Sequence, residues 1–236
     1  MLFMHIPKTG GSSLRDSLNQ VYPRSEQLQL YDSPDKGIIH ADDFPDLSEA
    51  ERARPRLIMG HFYYGLHEHV PRPSRYLTII RDPVDRVASL YHHYRRVAEL
   101  RPQSRAGREG QSILEEGMSL EEWGFGLERV EIDNEILRRI TGRPAIGFGL
   151  CPDDMLSEAL EHVEQRFVRV LVLEQMDRSM RALDADLGKH IPTPGFVNVN
   201  ERRAPEGDVD SGVVRRLREL NRLDSAFYQA MVDRLP

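Results

Sequence analysis

Residues 8–13 read Lys-Thr-Gly-Gly-Ser-Ser, a string with the makings of an anion-binding loop. Glycines let backbone amides come close to a charged oxygen. Thr9, Ser12 and Ser13 add hydroxyl donors, and Lys8 adds a full charge. A helix beginning just after Gly10 and Gly11 would aim its positive end at the same point. The group these residues suit is terminal and phosphate-like. The same string also suits an ordinary serine-capped Gly-Gly turn, so the neighbouring elements decide between the two.

A second set of residues lies further along. Arg81 closes the clearest strand, "RYLTII" at 75–80, which is alternating and β-branched at its end. Ser89 falls on the polar face of the helix that follows, together with Asp85, Arg86 and His93. Arg81 and Ser89 therefore converge on a second anion near the helix start, or else form solvated surface beside a helix cap. His61 ends another apolar run, "RLIMGH" at 56–61, and is the leading candidate for a general base among nine histidines. His5 precedes the glycine loop on its own strand, where it packs or orients Lys8. His92 and His93 read as helix-face residues, with His93 also a candidate to line the acceptor cleft. His67 and His69 flank Glu68, a weak metal signal on its own.

The elements that must position these groups follow from periodicity. "LFMHI", 2–6, is a buried strand; Leu14, Leu18 and Val21 then keep helical spacing up to Pro23. Residues 23–56 read as loop with one short helix at 48–54, where Ser48 and Glu51 make a capping-box pattern. A long helix spans 81–100, capped by Asp82 with Pro83 in its first turn. Residues 101–118 show no periodicity and read as a mobile lid segment. Helices are expected at about 119–127, 132–141, 153–167, 176–187, 211–222 and 224–234, and a strand at 168–173. Strands alternating with helices imply a parallel sheet covered on both faces, an α/β architecture. Ligands in such sheets bind beyond the carboxyl ends of the strands. The loops at 7–13 and 81–89 both leave strands at that end, so the topology brings them together.

Composition narrows the class. The chain has 236 residues, enough for one domain with a sizeable core, and a formal net charge of −6, which argues against general nucleic-acid binding. The lone cysteine, Cys151, excludes an internal disulfide and suggests a reducing compartment. No run approaches the roughly 20 apolar residues of a membrane span. No signal peptide is legible, so a cytoplasmic protein is expected. Nothing in the sequence specifies an oligomeric state. Of the 32 basic residues only Lys8, Lys36 and Lys189 are lysine. In an arginine-using chain, a lysine in the glycine loop suits a compact point charge. Nine arginines against three acids between Arg72 and Arg108 either attract an anionic ligand or form a solvated basic face.

A triphosphate loop needs its lysine after the last glycine, in G-x-x-x-x-G-K-[ST], and no such string occurs here. "LTIIRD" offers Asp82 as an acid after a strand that could hold magnesium, but it reads better as a helix cap. "HIPKTGGSSL" and "RYLTIIRDPVDRVASLYHHY" together resemble the 5′-phosphosulfate loop and the 3′-phosphate motif of sulfotransferases that use 3′-phosphoadenosine 5′-phosphosulfate (PAPS). The wording is closest to the carbohydrate branch that includes heparan sulfate 2-O-sulfotransferase. "GHFYYG" belongs to the likeness, which covers about 40 residues; "DNEILRRITG" and "LVLEQMDRSM" show a weaker one.

The resemblance implies a three-layer, P-loop-like α/β fold in a single domain over 1–236. It implies PAPS as co-substrate and a hydroxyl or amine acceptor, a small molecule or glycan. By position, Lys8, Thr9, Gly10, Gly11, Ser12 and Ser13 would hold the 5′-phosphosulfate, and Arg81 and Ser89 the 3′-phosphate. His61 falls in the segment holding the family's catalytic histidine. Lys8 would stabilise charge on the bridging oxygen as sulfur is attacked in line. The chemistry itself requires no metal. A loop at 190–203, with Asn200, Arg202 and Arg203, would close over the nucleotide. The membrane anchor and much of the length of the Golgi enzymes have no counterpart here, so acceptor specificity does not carry over. A phosphotransferase using a nucleotide triphosphate, or a nucleotide-binding module without turnover, are the alternatives.

Overall fold

Strand and helix alternate along the chain, and the computed structural model, which describes residues 1–31, 39–195 and 210–236, shows how. The strands are β1 (Leu2–Met4), β2 (Gln27–Leu30), β3 (Leu57–Gly60), β4 (Tyr76–Ile80) and β5 (Phe167–Val172). They form one parallel sheet in the order β2-β3-β1-β4-β5. The first strand is thus central, with β3 on one side and β4 on the other; Phe3 stands level with Met59 and Leu77. The loops that leave β1, β3 and β4 at their carboxyl ends are neighbours.

Side chains alternate across the sheet as the pleat requires. On one face Phe3, Leu57, Met59, Leu77 and Ile79 pack against Leu14 and Leu18 of α1 (Gly11–Val21) and Met180 and Leu183 of α8 (Met176–Leu187). On the other, Leu2, Met4, Ile58 and Ile80 meet α6 (Glu135–Thr141), α7 (Asp154–Arg166) and α10 (Arg222–Asp233). Helix, sheet and helix make the three layers. Each fully buried aliphatic or aromatic side chain contributes roughly 1.5–3 kcal/mol. A third apolar cluster, outside the sheet, joins Val87 and Leu90 of α3 (Pro83–Leu100) to Ile113, Trp123, and Val213 and Leu217 of α9 (Ser211–Leu220). Among the described residues no helix is long and apolar enough to cross a membrane.

Several expected boundaries change. The segment 23–56 contains β2 as well as the capped helix α2 (Glu49–Ala53), whose Ser48–Glu51 capping box is present. This edge strand, Gln-Leu-Gln-Leu, was hidden by its polar alternation and by the flanking loop residues; Leu30 is its one fully buried side chain. Residues 101–118 hold two short helices, α4 (Arg105–Glu109) and α5 (Gln111–Glu115), docked on α3 through Gly110 and Ile113. Helices this short show no readable period. The helix expected at 119–127 is a π-helical turn at Glu122–Gly126 that buries Trp123. Arg86, expected on a polar helix face, is fully buried and donates from Nη2 to Glu131 O at 2.6 Å. Asn200, Arg202 and Arg203 lie outside the described residues.

The start of α6 is fixed from far away in sequence. Asn134 takes a left-handed backbone (φ 45) and makes no local cap. Instead both carboxylate oxygens of Asp224 accept amides of α6, from Ile136 at 3.0 Å and Leu137 at 2.9 Å. Asn134 Oδ1 accepts the Asp224 amide at 3.0 Å, and Asn221 Oδ1 accepts the Asn134 amide at 3.0 Å. Beside them Asp133 and Arg138 form an ion pair, each side chain 1% exposed.

Candidate active site

The glycine loop owes its shape to two left-handed residues, Lys8 (φ 70) and Gly10 (φ 87). Glycine adopts that conformation freely; for lysine it costs roughly 1–2 kcal/mol. A Cβ at Gly11 would stand 2.2 Å from the His5 ring, so only glycine lets α1 begin where it does. The first amides of α1, which have no partner within their helix, then face the space above the sheet. Ser12 and Ser13 are half-buried there. Thr9 is different: its side chain is fully buried and its hydroxyl donates to Ile6 O at 2.8 Å, closing the loop. Any contact of Thr9 with an anion is through its backbone.

Lys8 has no ion-pair partner among the described residues. Burial, then repulsion from Arg81 and Arg96, pulls its ammonium down to about 8. A cation held without a counter-charge makes a candidate site for an anion. His93, one turn beyond Ser89 on α3, is pushed down to about 4 by burial, then by Lys8 and Arg96. It is uncharged at neutral pH and leaves the charge of Lys8 uncompensated.

Arg81 follows β4, as the sequence predicts, and Asp82 caps α3 by accepting the Val84 and Asp85 amides on Oδ1, both at 3.0 Å. The capping role is thus the one Asp82 performs. Arg81 stands between two carboxylates, Nη2 at 3.5 Å from Asp85 and Nε at 4.0 Å from Glu174.

His61 follows β3, its amide bonded to Leu30 O at 2.9 Å. Its Nδ1 lies 2.7 Å from His5 O. A carbonyl only accepts, so Nδ1 carries the proton and the neutral ring keeps its lone pair on Nε2. The His61 ring lies 4.7 Å from that of His5 and edge-on to Tyr31 at 5.0 Å. His5 itself is buried, with Nδ1 3.1 Å from the Tyr31 hydroxyl, and burial foremost holds it well below the usual imidazole range. It packs under Gly11 and supports the loop. His67 Nδ1 lies 2.9 Å from the Tyr76 hydroxyl. Among the described residues no group of His, Cys, Asp and Glu has the arrangement of a metal site.

One cavity of about 2680 Å³ gathers these residues. Lys8, Gly10, Gly11, Ser12, Ser13, His61, Arg81 and Ser89 all line it, with Thr9 turned away behind them. Small-molecule pockets usually measure about 300–1,000 Å³, so there is room for two reactants side by side. Of the nine arginines between Arg72 and Arg108, Arg81, Arg86, Arg101 and Arg105 reach the lining, which holds as many acids as cations.

Several solved structures resemble this one, two of them as follows. A sulfotransferase from Alicyclobacillus acidocaldarius shares 18% identity at a TM-score of 0.48, over 99% of this chain and 95% of that one. Mouse sulfotransferase SULT7A1, complexed with PAP, shares 14% at 0.41, over 96% of this chain and 65% of that one. Neither a protein-family model nor a characterised protein matches the sequence.

Sequence reasoning missed Tyr31, Glu174 and Tyr228 at the cavity. Glu174 had a usable signal: it follows β5 at the same sheet edge that singled out Arg81 and His61. Tyr228, on the last helix, had none.

Proposed function

We propose that the chain is a sulfotransferase that moves the sulfuryl group of PAPS to a hydroxyl or amine acceptor, of which a carbohydrate is the leading case. The observation that carries this reading is the unpaired Lys8 in a glycine loop at the start of α1, with Arg81 and Ser89 beyond one neighbouring strand and His61 beyond the other. A donor with anions at two ends, and an acceptor that must lose a proton, match that layout. Lys8 and the amides of Gly10, Gly11, Ser12 and Ser13 would hold the phosphosulfate. Arg81 and Ser89 would hold the 3′-phosphate.

In the transfer, the acceptor oxygen attacks sulfur while the bridging oxygen leaves with the phosphate. Lys8 would stabilise the charge growing on that oxygen. His61 would take the acceptor proton on Nε2, its ring held by the bond from Nδ1 to His5 O. The segment 101–118 would serve as a lid, since Arg101, Ser104 and Arg105 line the cavity. A reducing, cytoplasmic setting belongs to the same reading, and the single Cys151 supports it.

Calorimetry with adenosine 3′,5′-bisphosphate and with magnesium ATP tests the donor. The bisphosphate should bind and magnesium ATP should not; the reverse preference overturns the reading. Labelled PAPS incubated with a glycan panel tests turnover, and His61→Ala should abolish it on the true acceptor without weakening the bisphosphate.

A further inference from the structure

Arg81 is the cation proposed to meet the second anion, yet it lies between Asp85 and Glu174. Two carboxylates so near would ordinarily quench it. They do not, because neither accepts a hydrogen bond from the guanidinium: both separations, 3.5 and 4.0 Å, are too long or misaligned. The Arg81 Nε is buried and has no hydrogen-bond partner among the described residues. The guanidinium is held in place by charge, with its donors unspent.

The reason Glu174 stays back is visible in its other contacts. Its Oε1 accepts the Asp82 amide at 3.1 Å. Its Oε2 accepts the hydroxyl of Tyr228, on α10, at 3.0 Å. Burial, then Glu174 itself, pushes the Tyr228 phenol above its ordinary range, so this hydroxyl stays a donor. Both carboxylate oxygens are therefore tied away from Arg81. All three side chains line the cavity.

We propose that Tyr228 is a positioning residue of the second anion site: by anchoring Glu174 it keeps the Arg81 guanidinium open to the 3′-phosphate of the donor. The inference rests on the donor reading above and adds to it a residue from the last helix. Without the Tyr228 hydroxyl, Oε2 of Glu174 is released and closes on Arg81 as a direct ion pair. An incoming phosphate must then compete with it.

The test compares two nucleotides on four proteins: the native chain, Tyr228→Phe, Glu174→Gln and the double variant. Calorimetry with adenosine 3′,5′-bisphosphate and with adenosine 5′-monophosphate, which lacks the 3′-phosphate, supplies the readout. Tyr228→Phe should weaken the bisphosphate by roughly two- to tenfold, the range of one net hydrogen bond, and leave the monophosphate unchanged. The double variant should recover the lost affinity, because a glutamine cannot pair with Arg81 as a charge. Native binding of the bisphosphate with no loss in Tyr228→Phe, or a loss that Glu174→Gln does not recover, overturns the inference alone. Equal weakening of both nucleotides would mark a structural role and also overturn it. If the native chain fails to bind the bisphosphate at all, the donor reading falls and takes the inference with it.

Discussion

At the carboxyl edge of the sheet, Lys8 keeps a left-handed backbone and a charge that no acid among the described residues balances. In the contact of α6 with α10, Asp224 places each carboxylate oxygen on an amide and faces the buried Arg86. Both regions are polar and largely withdrawn from water. One leaves the Lys8 charge unpaired among the described residues, and the other satisfies the Asp224 and Asn134 groups across some 90 residues of chain, although Nε and Nη1 of Arg86 keep no hydrogen-bond partner among the described residues. The difference separates a region that serves folding from the one proposed to take a ligand: an unpaired buried charge is costly unless something arrives to pair it.

The largest expected effect falls on the satisfied region. Asp224→Ala strands the amides of Ile136 and Leu137, and should cost about 2–6 kcal/mol of stability by urea unfolding. A loss below about 1 kcal/mol would mean that the α6–α10 contact is not the structural half of the comparison.

Next comes Lys8→Ala, which should lower kcat with labelled donor by roughly 10²–10³. The same unfolding measurement should find stability unchanged or raised, because the variant removes a desolvated cation that Arg81 and Arg96 repel. A stability loss as large as that of Asp224→Ala would erase the contrast between the two regions.

The smallest effect is a pH dependence. In the free chain Lys8 is charged below about 8, far under its ordinary value. An anion favours the charged form, so below that pH binding needs no proton, and above it binding must take one up. Affinity for adenosine 3′,5′-bisphosphate should therefore be level between about pH 7 and 8, where its phosphates are ionised, and fall by up to about tenfold per unit above that. Calorimetry in buffers of different ionisation enthalpy reads the proton uptake. Lys8→Met should bind weakly with no such dependence; a native profile that stays level to pH 10 would show that Lys8 is not at the anion.

Local chemistry explains what could be read in advance. Lys8, Gly10, Gly11 and the serines form one short turn, and Asp82-Pro83 is a cap followed by a first-turn proline. Such motifs depend on residues a few positions apart, so they survive in the sequence. Alternation placed Phe3 and Leu77 on one face and Leu2 and Ile80 on the other. Thr9 was misjudged only in direction, since a hydroxyl beside a glycine turn serves the ligand or the loop equally well on paper. Arg86 looked like surface because nothing nearby in sequence announces Glu131 O as its partner. The strand β2 failed for the opposite reason: as an edge it needs little apolar surface, so Gln-Leu-Gln-Leu resembles loop.

By itself the sequence determined an α/β chain with a glycine loop at its first strand, a lysine placed before the glycines, and Arg81, Ser89 and His61 near strand ends. Those follow from hydrophobic period and turn chemistry, which act over one or two turns of chain. Only the tertiary structure decided that β1 is central, so that the loops after β1, β3 and β4 meet in one cavity. It alone set the tautomer of His61 through His5 O, and the restraint on Arg81 through Glu174 and Tyr228. Each of these is a hydrogen bond or an ion pair between residues far apart in sequence, and its strength depends on burial that no local pattern specifies.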